Sequence, residues 1–335
     1  MRVLTAILCG TAATAFLAAC SGGNSQPAVA PNAQTPFVDV AAVTAPNGNE
    51  TIVSDGISSA VSIFSGTGKL NAYITAGLND PLGVATDSAE QLYIANSQAG
   101  NVLVYAKPYT ALTRTLKDTA GIPSGVAVSS AGVVAVMNGA SPGNVSLYAA
   151  GSATPCVTLD EPDLFPAFGA FDAAGDLFFD GYGKSGKTTK PIVAEISGGC
   201  SATAIKMLRT ANKLFAPTAI QVQHGNILIM DEPVINQGPV LANLNPVIYT
   251  YAPPLGDSLG LPTMTTALTQ GITPAAFAMS SDGKRLWIVH GGVGAGRIEY
   301  TYPRGRFVKS QNQLARKKRG LFLPTDIAVN PPSIP

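Results

Sequence analysis

The sequence predicts an all-β fold of repeated four-stranded units, and three observations carry that expectation. The 335 residues include 35 Gly and 25 Pro, residues that oppose helix interiors and favour turns. A Pro-anchored pattern recurs six times at spacings of 42, 43, 51, 57 and 50 residues, near the period of propeller blades. Each anchor is followed by short apolar or alternating runs bounded by Gly, Asn, Asp and Ser, which are strand and hairpin signals. Four strands repeated six times give a six-bladed β-propeller with four-stranded antiparallel blades, its ring closed by N- and C-terminal segments. Composition agrees. Charged residues are 12 % and apolar residues 46 %, which excludes a disordered chain. With 21 basic and 20 acidic residues there is no electrostatic case for nucleic acid.

The first elements are not part of that fold. Met1-Arg2 and the small apolar run Val3–Ala19 read as a secretory signal over residues 1–19. Leu17-Ala18-Ala19-Cys20 resembles the lipobox of bacterial lipoproteins, which implies a lipidated Cys20 as the mature N-terminus and a membrane partner through that lipid. Ser21 behind the Cys resembles an outer-membrane sorting signal, so the expected location is the cell envelope, at the outer membrane. Residues 20–36 lack charge and are rich in Gly, Ser, Asn, Gln, Ala and Pro, the composition of a flexible tether. The propeller is expected over 37–335.

The six anchors begin at Pro81, Pro123, Pro166, Pro217, Pro274 and Pro324, with Ala in the fifth place of all but Pro217-Thr-Ala-Ile-Gln221. Turns follow at 87–90, 129–132, 173–176, 223–226 and 281–284. Second strands come next, at Leu92–Asn96, Val133–Asn138, Leu177–Asp180, Ile227–Asp231 and Leu286–His290. Third strands follow, as in Val102–Tyr105 and Val247–Tyr251, and weaker fourth runs include Leu112–Leu116 and Ala204–Leu208. The first unit starts mid-pattern with Thr51–Asp55, Val61–Phe64 and Leu70–Ile74, and the last stops after Pro324–Val329. Joining the two completes one blade and removes an unpaired edge. Phe37–Val43 is the competing candidate for that innermost strand; the Pro and Ala anchor favours Pro324–Val329.

Pro81-Leu-Gly-Val-Ala85 with Leu92-Tyr-Ile-Ala-Asn96, and the matching Pro123–Asn138, resemble the NHL-type repeats of six-bladed propellers. The resemblance covers roughly Thr51 to Asn330 and implies a fold far more than an activity.

Several motifs invite a chemical reading. Gly181-Tyr-Gly-Lys-Ser-Gly186-Lys187-Thr188 fits the phosphate-loop pattern, but Thr189-Lys190-Pro191 and a β-rich run follow where a helix is required, so no nucleotide partner is expected. Second strands end in Asp55, Asn96, Asn138, Asp180, Asp231 and His290, predicted to lie together around the axis at one end of the ring. Such oxygen donors suit a divalent metal, and the His a base; equally, Asp and Asn after a strand bond nearby amides and shape turns. No cofactor is expected beyond that divalent ion. The senescence-marker/gluconolactonase propellers hold one with Glu, Asn and Asp, without a clear match here to their first acidic ligand. His224 reads as a solvated turn residue. Cys156 and Cys200 form a candidate disulfide, with Cys156 placed in one outer strand and Cys200 just before the next. Eight basic residues crowd into Arg297–Arg319, a solvated loop by default.

The expected function is a lipid-anchored, non-catalytic binding or scaffolding module for a protein or glycan. The alternative is a metal-dependent, lactonase-like hydrolase. Either would act at the end marked by the six strand-terminal residues, together with the loops at Asn79-Asp80, Asp160–Asp163 and Arg319–Leu323. The opposite end, with short Ser, Ala and Gly hairpins, offers little chemistry to sequence reading.

Overall fold

The computed structural model describes residues 50–330 and Pro332, except 119, 141–142, 186–187, 233, 238–239, 244, 270–273, 292–294 and 312–323. The signal, lipobox and tether, the candidate strand Phe37–Val43 and the Arg316–Arg319 cluster lie outside the described residues.

Six antiparallel blades stand in a ring. From innermost to outermost strand, blade 1 is Pro324–Asn330, Glu50–Asp55, Ala60–Phe64 and Leu70–Ile74. Blade 2 is Pro81–Thr86, Leu92–Asn96, Asn101–Ala106 and Ala111–Lys117. Blade 3 is Pro123–Val128, Val134–Asn138, Gly143–Tyr148 and Val157–Glu161. Blade 4 is Leu164–Phe171, Leu177–Ser185, Thr188–Ile196 and Lys206–Thr210. Blade 5 is Pro217–Gln223, Asn226–Asp231, Val247–Tyr251 and Met264–Ala267, with the hairpin Val234–Gln237/Val240–Asn243 inserted. Blade 6 is Pro274–Met279, Arg285–His290, Gly296–Thr301 and Arg306–Gln311. Ser258–Gly260, from the loop before the outer strand of blade 5, crosses to pair in parallel with the outer strand of blade 4.

The second strands are apolar almost throughout because each blade is buried on both faces. In Leu92-Tyr93-Ile94-Ala95, Leu92 and Ile94 pack toward blade 1, while Tyr93 and Ala95 pack toward blade 3. Period-two geometry sends successive side chains to opposite faces, and here each face meets a neighbouring blade. The same division recurs between blades 3 and 4 and between blades 4 and 5.

The C-terminal strand closes the ring. Pro324–Asn330 pairs antiparallel with Glu50–Asp55, from Glu50↔Asn330 to Asp55↔Pro324. At the seam, Asn330 Nδ2 donates to Tyr109 Oη at 2.6 Å and to Glu50 Oε2 at 3.3 Å. The Thr325 hydroxyl reaches the Leu82 carbonyl in blade 2 at 3.0 Å.

The anchor motif now has a physical reason. A Cβ on Gly83 would stand 2.6 Å from Gly125 Cα, and one on Gly125 would overlap the Ala167 carbonyl oxygen. Innermost strands converge at the axis, so the third place of the anchor must be small in blades 2 and 3. Each anchor also carries a register shift between its Pro and the following residues, which bends the innermost strand.

Cys156 and Cys200 are bonded, with Cα atoms 5.5 Å apart, and link blades 3 and 4. Cys156 corrects the sequence placement: it precedes the outer strand Val157–Glu161 rather than lying in it, and Cys200 sits in the short 3-10 turn Gly199–Ser201. Both therefore occupy turns from a third to a fourth strand, at the same end of the ring as the turns that follow the innermost strands.

Candidate functional site

The strands define two ends. Anchor prolines and the last residues of second strands lie at one, hereafter the anchor end. The turns between innermost and second strands lie at the other, the hairpin end.

At the anchor end, five of the predicted residues occupy equivalent positions. Asp55, Asn96, Asn138, Asp231 and His290 sit opposite Pro324, Pro81, Pro123, Pro217 and Pro274. Asp180 departs from this set. Its second strand reaches the anchor-opposed position one residue later, at Gly181, which pairs with Pro166. The sequence alignment of Asp180 with the others is thus off by one, and period-two alternation turns its side chain to the opposite face.

All six are buried, and most hold their own blade together. Asn96 Oδ1 accepts the Asn79 amide at 2.6 Å while Nδ2 donates to the Gly77 carbonyl at 2.9 Å. Asp231 Oδ1 accepts the Phe215 and Ala216 amides at 3.1 and 2.8 Å. Asp55 Oδ1 accepts the Ser58 amide at 3.0 Å, and Asn138 donates to Asp118 Oδ2 and Asn144 Oδ1. Burial lowers the His290 pKa and favours the neutral ring. Asp55, Asn96, Asp180 and Asp231 are loop staples: a buried amide without an acceptor is expensive, and each of the four supplies one to the chain around it.

Among the described residues, blades 4 and 5 bring predicted residues toward one another. Burial, then the charges of Asp180, Asp231 and Glu232, raises the Tyr182 phenol pKa; Glu232 is a residue that sequence reading missed. Burial, then the Asp231 charge, pushes the Glu232 carboxyl up to about 7. Among the described residues no three His, Cys, Asp or Glu side chains converge as a metal centre.

The concavity lies elsewhere. A cavity of about 390 Å³ runs along the axis, lined by residues of all six innermost strands and reaching Asp87, Ser88, Ser129 and Ser130 at the hairpin end. None of the six predicted residues lines it. The concavity and the six predicted residues therefore lie apart. The hairpin end is built from short self-capping turns: Asp87 Oδ1 accepts the Gln91 amide at 2.8 Å, Ser129 Oγ the Val133 amide and Asp172 Oδ1 the Asp176 amide. His224 and Gly225, at φ 48° and 74°, make the tight turn of blade 5. Beside these compact turns Pro332, just past the innermost strand of blade 1, also lines the cavity.

The third places of the anchors are Asp326, Gly83, Gly125, Phe168, Ala219 and Ala276 in blades 1 to 6, and four of them, Asp326, Gly125, Phe168 and Ala219, line the cavity. Five are apolar or Gly; Asp326 is a carboxylate. Its Oδ2 accepts the Val84 amide of the next blade at 2.9 Å and its Oδ1 the Ile327 amide at 2.8 Å. Burial raises its pKa to about 7 against the pull of those two amides. Asp180 lies behind the same wall, with Oδ1 accepting the amide of cavity-lining Phe168 at 3.1 Å. Burial pushes it up to about 8, and the Asp326 charge adds to the shift. A signal for Asp326 did exist in the sequence. Pro324-Thr-Asp326-Ile-Ala328 places a carboxylate where Pro81-Leu-Gly83-Val-Ala85 has Gly.

The phosphate-loop match belongs to a β-hairpin. Gly181–Ser185 continues the second strand of blade 4, and Thr188 opens the third strand, Thr188–Ile196. The helix that a phosphate cradle needs is replaced by a strand.

No protein-family profile and no curated protein sequence matches the chain. Solved structures do. Kuenenia stuttgartiensis hydrazine synthase aligns with TM-score 0.53 at 15 % identity over 74 % of this chain and 72 % of that one. A chain of a nidogen/laminin complex aligns with TM-score 0.62 at 12 % identity, covering 84 % and 98 %. A functionally unknown protein from Desulfotomaculum acetoxidans gives TM-score 0.57 at 12 % identity, covering 86 % and 100 %. At such identities the likeness is one of fold.

Proposed function

We propose that this chain is a lipid-anchored, extracytoplasmic propeller of NHL-repeat type that acts as a non-catalytic binding module, with its ligand seated on the axis. The observation that carries the binding half is the cavity of about 390 Å³. Its size falls in the range of small-molecule sites, and its walls are mostly apolar with a few placed polar groups. The anchoring half rests on Leu17–Cys20 and the uncharged segment behind it. A lipid on Cys20 and a flexible tether would hold a ring of balanced charge near the outer membrane without surface electrostatics.

Expression of the full chain and of Cys20→Ala, followed by membrane fractionation and mass spectrometry, tests the anchor. The expected result is an acylated N-terminal Cys20 in the membrane fraction, with release or retention of an uncleaved signal in the variant. A mature, unmodified N-terminus at another residue overturns it. A hydrolytic reading draws on Glu232 alone, a nearly buried acid whose pKa near 7 suits proton transfer. Lactone hydrolysis lost in Glu232→Gln would favour it over the binding module.

A further inference from the structure

The axial cavity has a charge as well as a shape. Its wall is built from Val84, Val126, Phe171, Ile220, Val222 and their neighbours, and contains no Lys, Arg or His. The ionisable residues that line it are Asp326 and, at the hairpin end, Asp87. No salt bridge to Asp326 forms among the described residues. Its carboxylate is held in place by amides from two blades, Val84 and Ile327, and each oxygen keeps a second lone pair. Gly125, at the third place of the blade 3 anchor, lines the same cavity and adds no side chain to it. One fixed acid in the wall of a mostly apolar chamber selects for one kind of guest.

Resting on the axial-binding reading above, we propose that the cavity takes a small apolar cation: a protonated amine carried on a compact hydrocarbon body. The hydrocarbon would fill the chamber between the innermost strands while the ammonium donates to Asp326. In an enclosure poor in water such a charge-assisted bond is roughly twice as strong as a neutral one. Asp87, at the rim, would favour entry of the same charge. An anionic guest would meet two carboxylates, and a neutral alcohol would forgo the ionic contact.

Three isosteric probes read this directly by calorimetry and NMR on the intact propeller: adamantylmethylamine, adamantylmethanol and adamantanecarboxylate. The amine is expected to bind roughly tenfold or more tightly than the alcohol, the carboxylate weakest. Asp326→Asn should erase the preference for the amine while leaving alcohol binding within about threefold. Should Asp326→Asn fail to fold, Gln221→Trp, at a half-buried wall position, supplies the second variant and should block the amine. Equal affinity for amine and alcohol, or amine binding unchanged in Asp326→Asn or Gln221→Trp, overturns the proposal. If the alcohol binds as well as the amine and Gln221→Trp blocks both, the axial site stands and only its cation selectivity falls. Binding of none of the three overturns the cation proposal as well.

Discussion

The two ends of this ring contrast in how they use polar residues. At the anchor end, Asn96, Asn138, Asp55 and Asp231 are buried and bonded to the loops around them. At the hairpin end, Asp87, Ser129 and Asp172 close tight turns at the surface, and the space between blades stays open as a cavity. Asp55, Asn96 and Asp231 at that end of the repeat thus marked where the chain needed acceptors for its own amides. Where turns cap themselves, the axial cavity extends to the turns, at Asp87, Ser88, Ser129 and Ser130.

That contrast can be broken at the covalent link first. The Cys156–Cys200 bond ties blades 3 and 4 at the hairpin end across 44 residues of sequence. Replacing both by Ser is expected to lower unfolding free energy by about 4 kcal/mol in the chain-entropy account, measured by urea denaturation. A loss below about 1 kcal/mol would mean that blade packing alone holds the hairpin end together.

A pair of single substitutions then compares the ends directly. Asp231→Ala strips the acceptor from two amides and should cost about 2–4 kcal/mol. Asp87→Ala opens a turn whose amides can turn to water, and should cost about 1 kcal/mol or less. Equal losses would erase the distinction between staples and self-capping turns.

Proton linkage sharpens the comparison further. Asp326 and Asp180 have folded pKa values raised by burial to about 7 and about 8, above their unfolded values. Between about pH 4 and those values the folded chain therefore holds protons that the unfolded chain releases. Their contribution is fully present below about pH 4 and is lost as pH rises through 7 to 8. His290, whose folded pKa is lowered, runs the other way: its contribution is lost as pH falls through the imidazole range. Subtracting the pH profile of Asp326→Asn from that of the parent isolates the carboxylate. The difference should slope downward from about pH 4 to about pH 7. A flat difference would show that Asp326 titrates as it does in the unfolded chain. Smallest of all should be the stability effect of Gln221→Trp, within about 1 kcal/mol by thermal unfolding, since its side chain has cavity space to enter.

Strand order, turn positions and the closing strand were all legible, because each is written within a few tens of residues. Apolar runs between Gly, Asn and Asp mark strands, and the Pro anchor marks the innermost one. The off-by-one placement of Asp180 was not, because the second strand of blade 4 reaches its Pro-opposed position at a glycine, Gly181, which carries no signal in the repeat. Glu232 escaped notice because its environment is made by Asp231 and by burial rather than by spacing.

By itself the sequence determined the repeat, and with it the all-β ring: local turn chemistry and period-two burial suffice for each blade, and blade number follows by counting. Where the cavity lies along the axis, and what charge faces it, only the tertiary structure decided. Asp326 bonds the amide of Val84, 242 positions away, and lines a chamber whose walls come from six separate strands. Convergence of that kind depends on how closely distant backbones approach at the axis, a distance that no local pattern of residues encodes.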